Sequence, residues 1–356
     1  MFTLFTTGKP FAGHSGVIQR NALKSWKLLH PDVEVIVFGD EEGAAEACRD
    51  LGLRHEAHVE RNEAGLKRID YYFDRAQELA RHRVLCYVNC DIILTRDFLR
   101  AVAQVRDAHR KFLMVGRRWD TDIREAIDYA KPAWEEEVRR SAAAANHQCD
   151  EKWIDYFAFP RGLYHKKIPA FVVGRVAWDN WLVWRAAKLG AAVVDASKAV
   201  GAVHQNHDYS YHPQGKDGVW NDEQARRNFE LAGGWKHLWS IADAGWVVQR
   251  DGGVRRNPDR HRQTWLRLRK NAARVWTYDV WLPSWHFVLD LTRPLRKALG
   301  LRAKQAADAE VPRRIDETTD YRAGGHVQPR EIHRAGAGER AGAGVVAGGA
   351  GNCGGG

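Results

Sequence analysis

Long apolar runs are missing from this 356-residue chain. No stretch approaches the roughly 20 residues that a helix needs to cross a bilayer, so the sequence gives no ground for a helical membrane span. The opening Met1-Phe2-Thr3-Leu4-Phe5-Thr6-Thr7-Gly8-Lys9 lacks the basic start and apolar core of a secretion signal. The expectation is therefore a cytoplasmic protein. Cysteine is sparse. Cys48, Cys86, Cys90, Cys149 and Cys353 are scattered, odd in number and without metal-type pairing, which fits reduced thiols better than a disulfide framework. Two nucleotide signatures are absent as well. No Gly-x-Gly-x-x-Gly follows the first strand, which weakens a dinucleotide-oxidoreductase reading, and no Gly-Lys-Ser/Thr loop offers a P-loop cradle.

What is present supports a substantial core. The hydrophobic fraction is 44%, and 15 Trp add large apolar surfaces. The net charge of +10 is concentrated after about residue 250. A basic, Trp-rich segment can face nucleic acid, an anionic membrane or an acidic substrate, and composition does not choose among them.

Strand and helix signals alternate through the first half. Strands are expected over 2–7, 34–38, 54–59, within 82–95 and over 112–116. Helices are expected over 16–29, 41–51, 66–81 and 96–109, from apolar residues at helical spacing. Such alternation implies an α/β layer with a mainly parallel sheet, whose ligands sit beyond the carboxyl ends of the strands. Residues 133–147 read as an exposed, solvated helix. The expected organisation is a globular domain over 1–235, a basic Trp-rich helical extension over 236–305, and a disordered Ala/Gly/Arg-rich tail over 306–356.

Five segments carry candidate chemistry. In His82–Thr95, Asn89 and Asp91 interrupt an apolar run at i and i+2, so on a strand they emerge on one side. An amide oxygen and a carboxylate suit a hard cation, although a plain strand ending in a turn gives the same pattern. Residues 153–164 alternate aromatics with Asp155, which suits a sugar face beside a carboxylate or, equally, an aromatic core strand. In 174–184, Asp179 precedes a helix and stands among Trp178 and Trp181. It reads as an acceptor-orienting carboxylate with a depressed pKa, or as a helix cap. His204, His207 and Asp208 fall within a polar run read as a loop closing over phosphates. The spacing of His204 and His207 allows joint metal ligation, and a structural loop is the alternative. Lys67 and Arg68 open a helix and offer a phosphate or ribose contact, or simply a basic helix start.

Taken in order, Thr-Leu-Phe-Thr-Thr, Val-Ile-Val-Phe-Gly-Asp, Tyr-Val-Asn-Cys-Asp-Ile-Ile-Leu, Asp-Tyr-Phe-Ala-Phe-Pro-Arg-Gly, Trp-Asp-Asn-Trp and His-Gln-Asn-His-Asp-Tyr resemble a nucleotide-diphospho-sugar transferase of the GT-A fold. The resemblance covers roughly residues 1–235. It implies a twisted sheet flanked by helices and a glycosyltransferase that moves a sugar from a nucleotide-diphosphate donor to a hydroxyl acceptor. It further implies that Thr6, Thr7, Phe38 and Asp40 line the base and ribose, with Lys67 and Arg68 nearby. Asn89 and Asp91 would meet ribose, metal and diphosphate, and Asp179 would act at the acceptor beside Asp155, Trp178 and Trp181. A divalent cation, Mn²⁺ or Mg²⁺, would be held by Asp91, His204 and His207. Asn89 departs from the family's Asp-x-Asp and removes one negative charge, which lowers the expected metal affinity.

The implied partners are a nucleotide-sugar donor, a glycan or lipid-linked acceptor and an anionic membrane surface. The membrane partner would be met by Trp and Arg/Lys of 260–300 on the inner face of the membrane; the alternative for this segment is a helical extension that packs its Trp against the α/β layer and leaves its cations in water. Two rivals are weighed. A sugar-nucleotide nucleotidyltransferase would want a Gly-rich basic loop after the first strand, which Gly8-Lys9-Pro10-Phe11-Ala12-Gly13 matches faintly. A single-stranded nucleic-acid binder would use the basic, Trp-rich segment. The carboxylates of 153–212 disfavour it, and no RNA-binding signature is visible.

Overall fold

The computed structural model describes residues 1–208, 215–274 and Trp276. The strands are β1 (Thr3–Thr7), β2 (Glu34–Phe38), β3 (Arg54–Glu56), β4 (Val84–Val88), β5 (Ile92–Ile93), β6 (Phe112–Val115), β7 (Arg118–Thr121), β8 (Tyr156–Pro160), β9 (Ala192–Asp195), β10 (Ala202–Gln205), β11 (Trp246–Val248) and β12 (Val254–Arg256). The α-helices are α1 (Gly13–Lys27), α2 (Ala44–Leu51), α3 (Ile69–Leu79), α4 (Arg96–Ala108), α5 (Trp134–Ala145), α6 (Trp178–Lys188), α7 (Gly215–Asn221), α8 (Glu223–Ala232) and α9 (Arg260–Arg274).

Nine strands form one sheet in the order β12-β11-β9-β6-β8-β4-β1-β2-β3. Its pairings are parallel except where β8 meets β4 and β6 and where β12 meets β11. The expected mainly parallel α/β layer is therefore the observed one. Its central strands are short and buried along their length because helices cover both faces. On β4, Cys86 and Val88 face the side covered by Ala22, Leu23 and Trp26 of α1 and by Phe98 and Val102 of α4. Leu85 and Tyr87 face the opposite side, against Tyr72 and Phe73 of α3 and Trp178 and Leu182 of α6. Alternation of side chains along a strand divides the two cores.

Three expectations need correction. The helix read as a solvated insertion, α5, is amphipathic. Trp134, Val138 and Ala142 are buried with Ile93 and Val203 in a third apolar cluster, while Glu136, Glu137 and Arg140 are exposed. The segment read as a phosphate-covering loop begins as a strand: β10 carries His204 and pairs with β5 and β7 in a small second sheet, order β5-β10-β7. The globular layer does not stop at residue 235, since β11 pairs with β9 and β12 with β11, carrying the sheet to Arg256. The expected basic extension is helical over Arg260–Arg274. The tail over 306–356 and the remainder of 260–300, apart from Trp276, lie outside the described residues.

Candidate active site

Parallel pairing of β1 with both β2 and β4 sets three carboxyl ends side by side. Thr6 and Thr7 end β1, Phe38 ends β2, and Asn89 and Asp91 follow β4. The small sheet then brings in distant residues. Its register sets His204 beside Ile92, next to Asp91, and opposite Asp120 on β7. The turn carrying Asp91 is held from below, as the Trp26 indole donates to the Ile92 carbonyl at 2.8 Å and the Gln205 amide donates to the Asp91 carbonyl at 3.1 Å.

Around the Asp91 carboxylate, His207 Nε2 lies 3.1 Å and His204 Nε2 3.8 Å from Oδ2. Lys9 Nζ lies 3.4 Å from the His207 ring nitrogens. Burial opposes ionisation of Asp91, yet His204, His207 and Lys9 hold its carboxyl well below the usual carboxylate range. Its other oxygen, Oδ1, is buried without a hydrogen-bond partner among the described residues. One ligand atom from each of Asp91, His204 and His207 falls within 4.8 Å of the others. An orphaned carboxylate oxygen beside two imidazoles fits a divalent cation, so the residues present suit the group the resemblance implies.

The remaining expected residues have distinct settings. Thr6 is fully buried, and the Thr7 hydroxyl donates to the Phe38 carbonyl at 2.9 Å, tying the ends of β1 and β2. The Phe38 ring is in the core against Phe5 and Tyr72, so only its backbone stands at the edge. Gly39 follows at φ 114°, where a Cβ would meet the Glu41 carboxylate. Asp40 is exposed and pairs with Arg61 at 2.6 Å. Lys67 is buried, donating to the Gly8 carbonyl at 2.7 Å and pairing with Glu41 at 2.8 Å; burial lowers its pKa. Arg68 turns instead to Asp70 and Glu60.

Asn89 does not merely lack a charge. Its amide donates to Asp155 Oδ1 at 2.7 Å, and Arg118 donates to both Asp155 oxygens at 2.7 Å. A carboxylate already stands where a second Asp would point. Asp155 thus serves inside a buried polar network. Trp178 packs on Tyr87 and Phe157, and Trp181 on Phe171, so both rings belong chiefly to the core.

Asp179 lies in the first turn of α6, after Ala177 at φ 84°. The depressed pKa expected there is overturned: burial, with Asp155 adding to it, pushes the carboxyl up to about 7. The helix terminus is outweighed because desolvation of a charge exceeds what nearby backbone N–H groups return. Its Oδ1 is also buried without a partner among the described residues.

Lys9, Arg118 and Asp120 are site residues that the sequence did not single out. Arg118 and Asp120 stand at i and i+2, a signal that an ordinary solvent-facing strand shares. Lys9 lies just past β1, its backbone clamped by the Gln19 side chain at 2.6 and 3.0 Å.

No protein-family model matches the chain, and no curated protein matches it by sequence. The chain is similar to solved structures, at low identity. One is S. aureus TarS 1–349 in complex with UDP-GlcNAc, at 10% identity and a TM-score of 0.42, the match covering 78% of this chain and 73% of that one. Another is glucosyl-3-phosphoglycerate synthase from Mycobacterium tuberculosis in complex with Mg²⁺ and UDP, at 13% identity and 0.41, covering 72% and 87%. The longer S. aureus TarS chain matches at 13% and 0.40, over 68% of this chain and 39% of its own length. The likeness is one of layout, and the case for an activity rests on the residues above.

Proposed function

We propose that the protein is a glycosyltransferase that moves a sugar from a nucleotide-diphosphate donor to a hydroxyl acceptor. The observation that carries this reading is the Asp91 carboxylate beyond the central strand ends, ringed by His204, His207 and Lys9, with one oxygen buried and unpartnered among the described residues. Asp91, His204 and His207 would hold a divalent cation. The mixture of imidazole and carboxylate suits Mn²⁺ better than Mg²⁺, which prefers oxygen ligands. Bound there, the cation supplies positive charge against the departing diphosphate. Lys9 adds a cation beside it, and Lys67, tied to Gly8, fixes the shape of the donor edge formed by Thr6, Thr7, Gly39 and Asp40.

Asp179 serves as the acceptor's base. A carboxyl with a pKa near 7 takes a proton from an attacking hydroxyl far better than an ordinary Asp. Burial raises that pKa, and Asp155, held by Asn89 and Arg118, adds to it.

The test is a thermal-shift screen of nucleoside diphosphates with and without Mn²⁺, coupled to donor turnover. A ligand at a hundred times its Kd stabilises by about 2.7 kcal/mol. Asp91→Ala should lose the Mn²⁺-dependent part of the shift and all donor turnover while still folding. Full activity in that variant would refute the donor-site assignment.

The acceptor reading extends to a lipid-linked glycan presented at an anionic membrane. Trp265 and Leu268 on α9 are 59% and 58% exposed, and Arg269 lies 5.6 Å from the Trp265 ring. No described helix is long and apolar enough to cross a membrane, so this contact would be peripheral. Binding to anionic vesicles that weakens with salt and is lost on cutting the chain at about residue 256 supports it. Equal binding by the cut and intact chains removes it.

A further inference from the structure

A second group of metal-type donors stands behind the first. Asp120, His147 and Cys149 present one ligand atom each, all within 4.8 Å of one another. Backbone pairing puts them there. Trp119 bridges Gln148 in antiparallel fashion, the Asp120 N–H donates to the His147 carbonyl at 3.0 Å, and the Cys149 N–H donates to the Arg118 carbonyl at 3.0 Å. In such a ladder side chains alternate, so Asp120, His147 and Cys149 share one face.

The two Asp120 oxygens have different company. Oδ1 lies 2.9 Å from Arg118 Nε and 3.1 Å from His204 Nδ1. Oδ2 lies 2.9 Å from Cys149 Sγ and 3.3 Å from His147 Nδ1. One oxygen is therefore occupied by a guanidinium, while the other faces a thiol and an imidazole. Sulfur, nitrogen and oxygen donors on three side chains are the set of an open, borderline-soft metal site, unlike the oxygen ligands that Mg²⁺ and Ca²⁺ prefer.

We propose that Asp120, His147 and Cys149 form a Zn²⁺ site separate from the Asp91 group and joined to it through Asp120 and His204. Loading the site replaces the Cys149 S–H with a sulfur–metal bond and releases the proton to solvent. The Cys149 S–H donates to Asp120 Oδ2 at 2.9 Å, and it is this hydrogen that the metal would displace. A metal on Oδ2 would fix the Asp120 carboxylate, whose Oδ1 lies 3.1 Å from His204 Nδ1, and so bear on the position of His204.

The experiment is a Co²⁺ titration of the chelator-treated full chain, read by the cobalt–thiolate charge-transfer band in the near ultraviolet. Wild type and Asp91→Ala should both develop the band to the same final intensity, since only the Cys149 group carries a thiolate, and Zn²⁺ should displace it. Cys149→Ser should abolish it. His147→Ala, altering a side chain 38% exposed and so with little risk to folding, should move the midpoint to higher Co²⁺. Absence of the band in wild type, its survival in Cys149→Ser, or an unchanged midpoint in His147→Ala would each overturn the proposal. Because Asp91→Ala keeps the band, the outcome is independent of the donor-site reading.

Discussion

Asn89→Asp would restore the two-carboxylate spacing that the family resemblance leads one to expect, and the structure says it should harm the protein. The Asn89 amide donates to Asp155 Oδ1 at 2.7 Å. The substitution removes a hydrogen bond to a charged group, about 1.5–3 kcal/mol, and sets a second carboxylate in its place. Two unit charges about 3 Å apart repel by several kcal/mol even at an effective dielectric of about 20. The repulsion has a ceiling, because the pair can keep one proton. Holding a carboxyl of ordinary pKa near 4 protonated at pH 7 costs about 4 kcal/mol, and the shared proton then restores a hydrogen bond. Arg118 remains on Asp155 and softens the effect, so the expected loss at pH 7 is about 2–4 kcal/mol. The sign of its pH dependence follows from the folded-state pKa of the pair being raised. The deficit grows as pH rises from the unfolded value toward the raised one, and shrinks as pH falls toward 4. Urea unfolding of wild type and variant at pH 5 and pH 7 measures both. A variant as stable as wild type at pH 7, or a deficit identical at the two pH values, would refute the reasoning.

Three further outcomes follow from the same network. With Asp179 as the base, transfer should rise with pH through about 7, and Asp179→Asn should remove most transfer while leaving nucleoside-diphosphate binding intact; equal losses in both would make it a structural cap. A folded-state pKa raised above the ordinary value contributes stability below that value and loses it as pH rises, so Asp179→Asn should gain stability relative to wild type above pH 7, by up to about 4 kcal/mol, and a gain independent of pH between 5 and 8 would contradict the burial argument. Arg118→Ala leaves the buried Asp155 with the Asn89 amide as its neutral donor, and should cost about 3–5 kcal/mol at pH 7, measured by urea unfolding; a loss under about 1 kcal/mol would show that the network is solvated.

The α/β layer was legible in the sequence because its signals are local. Apolar runs such as Val35–Phe38 and helical spacings such as Ile69, Phe73, Ala76 and Leu79 are set by which residues can be buried on a strand or a helix face. The same locality exposed Asn89, Asp91, Asp179, His204 and His207 as polar groups out of place. What no local signal carries is pairing. Strand β10 is four residues long, and its place between β5 and β7 rests on Ile93 and Val203 meeting Trp134 and Val138 of a helix that reads, by itself, as solvated. That placement brings His204 to Asp91 on one side and to Asp120 on the other. It also decides electrostatics. Asp179 at a helix start has an ordinary reason for a low pKa, and only burial beside Asp155 reverses the sign. Sequence determined which groups could be chemical; tertiary structure decided their partners and charge, because desolvation and hydrogen bonding depend on neighbours remote along the chain.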